Sequence, residues 1–258
     1  MTPKPLTPNT GGILKPEQVI GRDKDINAIK EILLKQSINL NAIRRSGKSS
    51  LLFKLNQELN QLDNFISVYL EVEGISNSDS FIEKLYSKFK SEKIIEESTT
   101  QKIDKASNNL VGKFSEISLP GGFSTKFQER RQIWEKQLDE LFKAVVKENP
   151  NKIIVICLDE FSIMLDKIED HKEASELLGI LRAIVHTPTY KDSIRFIYCG
   201  SIGIDLVIDK LKKAGNNIGR PLNHMNDYEL KPLTDVNALL LAECFNLGCK
   251  LNLDKKLH

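Results

Sequence analysis

The segment 42–49 is the sequence feature that most constrains this chain. Residues 42–49 read Ala-Ile-Arg-Arg-Ser-Gly-Lys-Ser; they follow an apolar segment, 38–43, that suits a short strand, and they precede apolar residues at helical spacing in 50–59. In loops of this kind a glycine lets backbone N–H groups surround a phosphate, the lysine reaches the β- and γ-phosphate oxygens, and the hydroxyl ligates Mg²⁺. The order of strand, loop and helix therefore predicts an α/β fold that binds a nucleotide.

The individual loop residues have distinct predicted roles. We expect Lys48 to contact the phosphates and Ser49 to bind Mg²⁺. The predicted nucleotide-binding residues of the loop are Arg45, Ser46, Gly47, Lys48, Ser49 and Ser50. The side chains of Arg44 and Arg45 are expected to make surface or partner contacts rather than to touch phosphate, because the loop binds phosphate through its backbone. An ordinary loop-to-helix turn is the alternative interpretation.

One residue departs from the usual G-x-x-x-x-G-K-[ST] pattern. Ala42 stands where the first glycine is expected. Its methyl group is tolerable if φ is negative, and strained if the loop needs a positive φ.

A second motif joins an apolar strand to two acidic residues. Six consecutive apolar residues, 153–158, precede Asp159 and Glu160. Such a run predicts a strand buried on both faces of a parallel sheet, and ligand sites of α/β proteins lie at the carboxyl ends of such strands. We expect Asp159 to hold Mg²⁺ and Glu160 to orient and polarise the attacking water. Alone the motif is weak, because many apolar strands end in an acidic turn; the phosphate-binding loop upstream supports the functional interpretation.

A third predicted strand, 194–199, ends in Gly200 and Ser201. A small polar residue at this place can form a hydrogen bond with the γ-phosphate or the attacking water, so Ser201 is our candidate sensor of the γ-phosphate. The alternative is that its hydroxyl caps a helix that begins near Ile202, since serine is a favoured N-cap residue. The two roles are compatible.

The pattern along the chain predicts a core flanked by two other segments. Residues 1–18 form a flexible N-terminal arm, 19–232 form the core, and 233–258 begin a helical lid. Within the core, 98–128 is rich in polar residues and predicts an inserted hairpin or mobile loop. Further predicted elements are helices at 25–36 and 79–97, a strand at 65–71, and helical apolar stripes near 134–145 and 177–185. Strands that alternate with helices predict a parallel sheet with helices on both faces.

Several motifs occur together in an order typical of one protein family. They are Gly21-Arg22-Asp23, the loop 44–52, the strand ending at Asp159-Glu160-Phe161, and the segments 195–203 and 222–233. Over roughly 19–245 the chain resembles AAA+/STAND-type P-loop ATPases of the archaeal-ATPase kind, which are found in bacteria and archaea. The resemblance implies a five-stranded ASCE core and places Ile20, Gly21 and Arg22 near the adenine.

The resemblance also implies roles for individual residues. Lys48 and Ser49 match the Walker A pair, Asp159 and Glu160 the Walker B pair, and Ser201 the sensor. Arg220 lies where related ATPases can carry an arginine that reaches the γ-phosphate of a neighbouring subunit. The alternative is a surface arginine in a loop. The lid is expected to be truncated, since relatives usually continue into further helices and often a winged-helix domain.

Composition narrows the function classes. The 37 basic and 35 acidic residues give a net charge of +2, so no overall field favours a nucleic acid partner, and the local basic clusters suit solvated helix faces. The 4 cysteines lack C-x-x-C spacing and indicate reduced thiols in a cytoplasmic protein. The 4 histidines form no metal-binding motif, so the expected metal is nucleotide-bound Mg²⁺. No apolar stretch approaches the roughly 20 residues of a membrane span.

These observations predict a Mg²⁺-dependent ATPase module, slow in isolation, whose nucleotide state switches the lid or an unidentified protein partner. A homo-oligomer formed through the nucleotide-binding face is part of this hypothesis. Two alternatives remain open: a nucleotide-gated scaffold with negligible hydrolysis, and a DNA-associated AAA+ ATPase whose DNA-binding domain is absent.

Overall fold

The structure is a computed structural model that describes residues 3–9, 12–97 and 123–249, with side chains from residue 130 onward in the last range. A short 3-10 helix, Pro16–Gln18, precedes the main elements. The helices are α1 Asp23–Leu33, α2 Lys48–Leu59, α3 Ser78–Ser91, α4 Phe123–Glu148, α5 Phe161–Lys167, α6 His171–His186, α7 Ile204–Lys213 and α8 Asp235–Cys249. The strands are β1 Ser37–Asn41, β2 Phe65–Glu71, β3 Ile153–Asp159, β4 Ile194–Cys199 and β5 Met225–Glu229.

The strands form one parallel sheet, as predicted. Among the described residues it has five strands in the order β2-β3-β4-β1-β5. In its register Leu158 pairs with Tyr198, and Cys199 pairs with Leu40. The carboxyl ends of β3, β4 and β1 therefore lie side by side, which brings the segments that follow them to one edge of the sheet.

Both faces of the sheet are covered by helices, as the continuous apolar run of β3 predicts. Val155 and Cys157 pack in the cluster that contains the buried residues of α1 and α2. Ile154, Ile156 and Leu158 face the opposite side, in the cluster formed with α3 to α7. This alternation explains why β3 carries apolar residues at every position rather than at every second one.

The predicted apolar stripes are confirmed as core. On α4 the side chains from Trp134 to Val145 that recur at helical spacing are at most 1% exposed, and on α6 Leu177 and Leu181 are fully buried. All four cysteines have free thiols, and Cys157, Cys199 and Cys244 are buried.

The structure corrects several predicted element boundaries. Residues 123–128, predicted as part of a hairpin or mobile loop, instead begin the long helix α4. The rest of that prediction, 98–122, lies outside the described residues. The helix predicted at 25–36 begins and ends earlier, at Asp23–Leu33, and the helix predicted to reach 97 ends at Ser91.

The segments that flank the core contact each other. Leu6, in the predicted flexible arm, is buried and its backbone N–H donates to the Cys244 carbonyl oxygen of α8 at 2.9 Å. Helix α8 itself confirms that a helix follows the core, and several of its apolar side chains are exposed, Val236, Leu239 and Leu247 among them. In the described part of the chain, no helix has the length and apolar character that a membrane crossing requires.

Candidate functional site

The loop between β1 and α2 contains two residues with left-handed backbone conformations. Arg45 and Gly47 have φ values of 63° and 84°. Gly47 is the N-cap of α2, so the free N–H groups of the first helical turn open at the end of this loop. Among the described residues, Ala42 is not one of those with positive φ, and its methyl group is therefore unstrained, as the tolerated case predicts.

Lys48 and Ser46 are the enclosed polar groups of the loop. Lys48 is only 6% exposed, and its Nζ donates to the carbonyl oxygens of Ala42 and Ile43, each at 3.2 Å. The ammonium group is thus hydrogen-bonded to the loop that precedes Lys48 in the chain. Ser46 Oγ is buried without a hydrogen-bond partner in the described protein. A bound ligand can supply the hydrogen bond that such a buried hydroxyl lacks.

The other predicted loop residues differ in their surroundings. Ser49 is half-buried, and Arg44 and Arg45 are exposed. Ser50 is buried, and its Oγ accepts a hydrogen bond from the Leu14 backbone N–H at 3.0 Å. The Ser50 side chain therefore ties the N-terminal segment to α2.

Asp159 lies at the end of β3 with its carboxylate buried. It is 1% exposed, and each oxygen accepts a hydrogen bond: Oδ1 from the Glu160 backbone N–H at 3.2 Å, and Oδ2 from the hydroxyl of Tyr69 at 2.7 Å. Burial, followed by the neighbouring Asp159 carboxylate, raises the pKa of Tyr69 far above its usual value, so the phenol remains a donor.

Glu160 adopts a left-handed backbone conformation with a φ of 58°. Such conformations are costly for residues other than glycine and cluster at functional sites. One carboxylate oxygen, Oε2, accepts a hydrogen bond from the Ser201 backbone N–H at 2.7 Å. The tips of β3 and β4 are therefore connected through the side chain of Glu160.

Ser201 does not cap the helix that follows it. Helix α7 begins at Ile204, later than predicted, and its N-cap is Gly203, without a side-chain capping bond. The capping alternative for Ser201 is therefore wrong. Its backbone contact with Glu160 puts it beside the acidic pair, and its predicted sensor role is unaffected.

The charges of the two acids and of the loop lysine act on one buried thiol, that of Cys199. Burial raises the pKa of Cys199 well above its usual value; the charges of Asp159 and Glu160 raise it further, and the charge of Lys48 opposes them. Cys199 is the last residue of β4, the strand between β3 and β1. The fold thus brings the loop lysine and both acids to the same edge of the sheet, as predicted.

Oxygen donors at this edge suit Mg²⁺. The Asp159 carboxylate and the Ser49 hydroxyl are hard oxygen ligands, and Mg²⁺ is typically bound by one or two carboxylates together with phosphate oxygens and water. Within the described ranges, no group of three or more His, Cys, Asp or Glu side chains could hold a metal ion by itself. The residues therefore fit a metal that arrives with a phosphate ligand.

Arg22 connects the phosphate-binding loop to the segment after β5. Its guanidinium donates to the Ser46 carbonyl oxygen at 3.2 Å and to the Lys231 carbonyl oxygen at 2.7 Å, and it pairs with Asp25 at 3.1 Å. Arg22 is 7% exposed, so these contacts replace water around the guanidinium. Its side chain is thus a structural bridge rather than a free cation.

Gly21 lies in direct contact with α8. Asn237 Nδ2 donates to the Gly21 carbonyl oxygen at 3.1 Å, and a Cβ at Gly21 would lie 2.6 Å from that of Asn237. Beside this contact is an open groove with a volume of about 530 Å³. Its lining includes Gly21 and Lys24 on one side and Val236, Leu239 and Leu240 on the other. Ile20, the residue before Gly21, is half-buried.

Arg220 lies away from the loop of its own chain. It is exposed, in the connection between α7 and β5. Helix α7 leaves the carboxyl end of β4, and the chain then enters β5 at Met225, which pairs with Ser37 at the start of β1. Arg220 is therefore near the amino ends of the strands, whereas the phosphate-binding loop follows their carboxyl ends.

Two residues of the site were not predicted from the sequence: Tyr69, which contacts Asp159, and Asn237, which contacts Gly21. The strand order offers a partial signal for Tyr69. In the register Glu71 pairs with Asp159, and residues two apart on a strand share a face, so Tyr69 lies on the same face as the carboxylate. No local pattern indicates Asn237.

A methyl group at Gly200 is expected to destabilise the turn after β4. A Cβ there would lie 1.9 Å from Ser162 Oγ, so Gly200→Ala should lower the free energy of unfolding by about 1–3 kcal/mol, measured by urea denaturation. The double variant with Ser162→Ala should recover part of this loss. Gly179→Ala is the control, because outside its own helix backbone and chain neighbours no atom lies within 4 Å of the place that its methyl group would take. Equal stability of Gly200→Ala and wild type would contradict the packing.

Comparisons with known proteins give a likeness of fold. No protein-family model matches the chain, and no curated protein matches it. Among solved structures, it is similar to the Aeropyrum pernix ORC2 protein, which was determined as ADPNP-ADP complexes. The TM-score is 0.56 at 14% sequence identity, and the match covers 93% of this chain and 55% of that one. The chain thus spans about half the length of the ORC2 protein. With its sheet order and helices, the likeness shows that the chain shares an α/β fold with that protein, built on a five-stranded parallel sheet with helices on both faces.

Proposed function

We propose that this chain binds ATP with Mg²⁺ at the loop 42–49, hydrolyses it slowly, and uses the nucleotide state to control α8 or a protein partner. The observation that carries the proposal is the order of the sheet: β3, which ends at Asp159, and β1, which precedes the loop of Lys48, lie on either side of β4, and Glu160 Oε2 accepts a hydrogen bond from the Ser201 N–H after β4. A cation, a metal-binding carboxylate and a second acid at the carboxyl edge of a sheet are the groups that phosphoryl transfer needs.

The loop supports binding of the triphosphate. The N–H groups at the start of α2 favour an anion through both hydrogen bonding and the helix dipole. Lys48 is restrained by two carbonyl oxygens, and it can exchange these for phosphate oxygens at the same place. The buried Ser46 hydroxyl, which lacks a protein partner, supplies one further group for the ligand.

The groove between Gly21 and α8 is our candidate binding site for the adenine base. Its apolar side chains from α8 can cover one face of an adenine, and of the three residues predicted near the adenine, Ile20, Gly21 and Arg22, Gly21 lines the groove. Arg22 contacts the loop and the segment that leads into α8 at the same time. A nucleotide bound between the loop 42–49 and α8 would therefore fix the distance between the loop and the predicted lid.

Glu160 is the residue that we assign to water activation. Its carboxylate is held by the Ser201 N–H through one oxygen, which leaves the other to orient and polarise a water for attack on the γ-phosphate. Mg²⁺, held by Asp159 and Ser49, supplies charge neutralisation on the phosphate oxygens when bound. Lys48 stabilises the negative charge of the transferred phosphoryl group, and Ser201 is placed to sense it.

Arg220 is proposed to act in trans. Because it lies at the edge of the sheet remote from its own loop, it can approach a γ-phosphate only in a neighbouring subunit of a homo-oligomer. This geometry supports an assembly through the nucleotide-binding face and predicts slow turnover for the isolated chain.

The decisive experiment measures ATP affinity with Mg²⁺ and with chelator, and phosphate release over a range of protein concentrations. We expect Mg²⁺-dependent binding and slow release whose rate per subunit rises with concentration. Tight binding without phosphate release at any concentration would instead identify a nucleotide-gated scaffold. Release that requires DNA, with salt-sensitive DNA affinity, would identify a DNA-associated ATPase. Absence of nucleotide binding would refute all three.

A further inference from the structure

Tyr69 is the residue outside the predicted site that contacts its metal-binding carboxylate. Its hydroxyl donates to Asp159 Oδ2 at 2.7 Å across a sequence separation of 90 residues. The phenol ring makes an edge contact with Phe53, with ring centroids 5.9 Å apart and an interplanar angle of 83°. Phe53 belongs to α2, the helix that begins at Lys48. Tyr69 therefore lies between the helix of the phosphate-binding loop and the acid of β3.

We propose that Tyr69 is a positioning residue that fixes the Asp159 carboxylate in the orientation in which it binds Mg²⁺. This inference rests on the proposed function, because the metal enters with the nucleotide. The structure supports it through two hydrogen bonds to one buried carboxylate, from the Tyr69 hydroxyl and from the Glu160 N–H. The Glu160 N–H belongs to the next residue along the chain, whereas Tyr69 comes from the neighbouring strand β2.

The physical reason lies in the lone pairs of the carboxylate. An ionised carboxylate has about four acceptor sites on its two oxygens, so one bond from tyrosine and one from a backbone N–H leave sites free for a metal or its water. A carboxylate that is held at both oxygens cannot rotate about its last side-chain bond without losing one of them. Outer partners of this kind orient ligands of the metal, and their loss typically reduces metal affinity by about 10–100-fold.

The test compares Tyr69→Phe with wild type by titrating Mg²⁺ against the affinity for a non-hydrolysable ATP analogue. Phenylalanine retains the ring that packs on Phe53 and removes only the hydroxyl. We expect the Mg²⁺ concentration for half-maximal binding to rise by about tenfold, with unchanged affinity in chelator. Because a general loss of structure would also weaken Mg²⁺-free binding, this pair of readouts separates positioning from folding.

Tyr190→Phe is the matched control. The Tyr190 hydroxyl donates to Asp139 Oδ1 at 2.5 Å, so this variant removes the same kind of bond from a different part of the fold. Its Mg²⁺ requirement should equal that of wild type. The Asp159→Asn variant should also raise the requirement, and adding Tyr69→Phe to it should cause no further rise, since the hydroxyl acts through Asp159.

The outcomes distinguish this inference from the function on which it rests. If wild type binds the analogue with Mg²⁺ but Tyr69→Phe follows the curve of Tyr190→Phe, the positioning role is refuted and the proposed function stands. The positioning role is also refuted, and the proposed function again stands, if Tyr69→Phe weakens binding equally with and without Mg²⁺. If wild type shows no Mg²⁺-dependent binding, both the positioning role and the proposed function are refuted.

Discussion

Glu160→Gln is expected to lower the rate of ATP hydrolysis by about 10²–10⁴-fold and to leave ATP affinity close to that of wild type. Glutamine has the size of glutamate, and its amide oxygen can still accept the hydrogen bond from the Ser201 N–H that now reaches Glu160 Oε2. What it lacks is the negative carboxylate that polarises a water. The substitution therefore removes the chemistry and retains the geometry.

Phosphate release in single-turnover reactions, with nucleotide affinity measured separately, checks this expectation. Glu169→Gln is the control, because it makes the same chemical change at an exposed residue after α5 and should leave the rate unchanged. Hydrolysis by Glu160→Gln at the wild-type rate would exclude Glu160 as the residue that activates water. A parallel loss of affinity and rate would show that the residue supports the loop rather than the reaction.

Much of the fold was predictable because its signals are local. The apolar run of β3 fills positions on both faces, and the structure packs Ile154 and Val155 into opposite clusters as that run predicts. The segment 123–127 was mispredicted because five residues carry too short a pattern: Phe123 and Phe127 were assigned to an alternating stretch, although their spacing of four fits a helix. In the structure the segment continues into the apolar stripe of α4, where Trp134 is fully buried. The later residues supply the helical period that the five residues alone do not establish.

The candidate site shows the same difference between local and long-range signals. The loop 42–49 is one continuous segment, so its residues could be singled out from their spacing. Whether the methyl group of Ala42 is tolerated depends on the sign of its φ, which the sequence left open and which is not positive in the structure. The contact between Tyr69 and Asp159 joins residues 90 apart, and that between Asn237 and Gly21 joins residues 216 apart. Such contacts depend on strand order and helix docking, for which a single sequence carries no local signal.

The capping alternative for Ser201 failed for a different physical reason. The residue type favours an N-cap, but the helix begins later, after Gly203. The N-cap position therefore falls to Gly203, two residues after Ser201. The place where the helix begins, rather than the residue type of Ser201, decides which residue is the N-cap.

Lys48→Ala is expected to weaken ATP binding by about 10- to 100-fold, because hydrogen bonds to charged groups contribute about 1.5–3 kcal/mol each. Lys48 is 6% exposed and its ammonium group is held by the carbonyl oxygens of Ala42 and Ile43, so it is already close to the loop that would hold phosphate. Alanine favours the helical start of α2 and removes the cation together with its alkyl stem. Titration calorimetry with ATP and Mg²⁺ measures the effect.

Arg44→Ala separates a specific contact from a general attraction between the basic loop and a polyanion. Both substitutions remove one positive charge from the same loop, but Arg44 is exposed whereas Lys48 is enclosed. If the field of the loop dominates binding, the two variants should lose similar affinity, and the loss should shrink as salt rises. If Lys48 contacts the phosphates directly, only its removal should weaken binding strongly, and the difference should persist at high salt. Unchanged affinity in Lys48→Ala would refute the assignment of this loop to the triphosphate, and with it the roles proposed for Asp159 and Glu160.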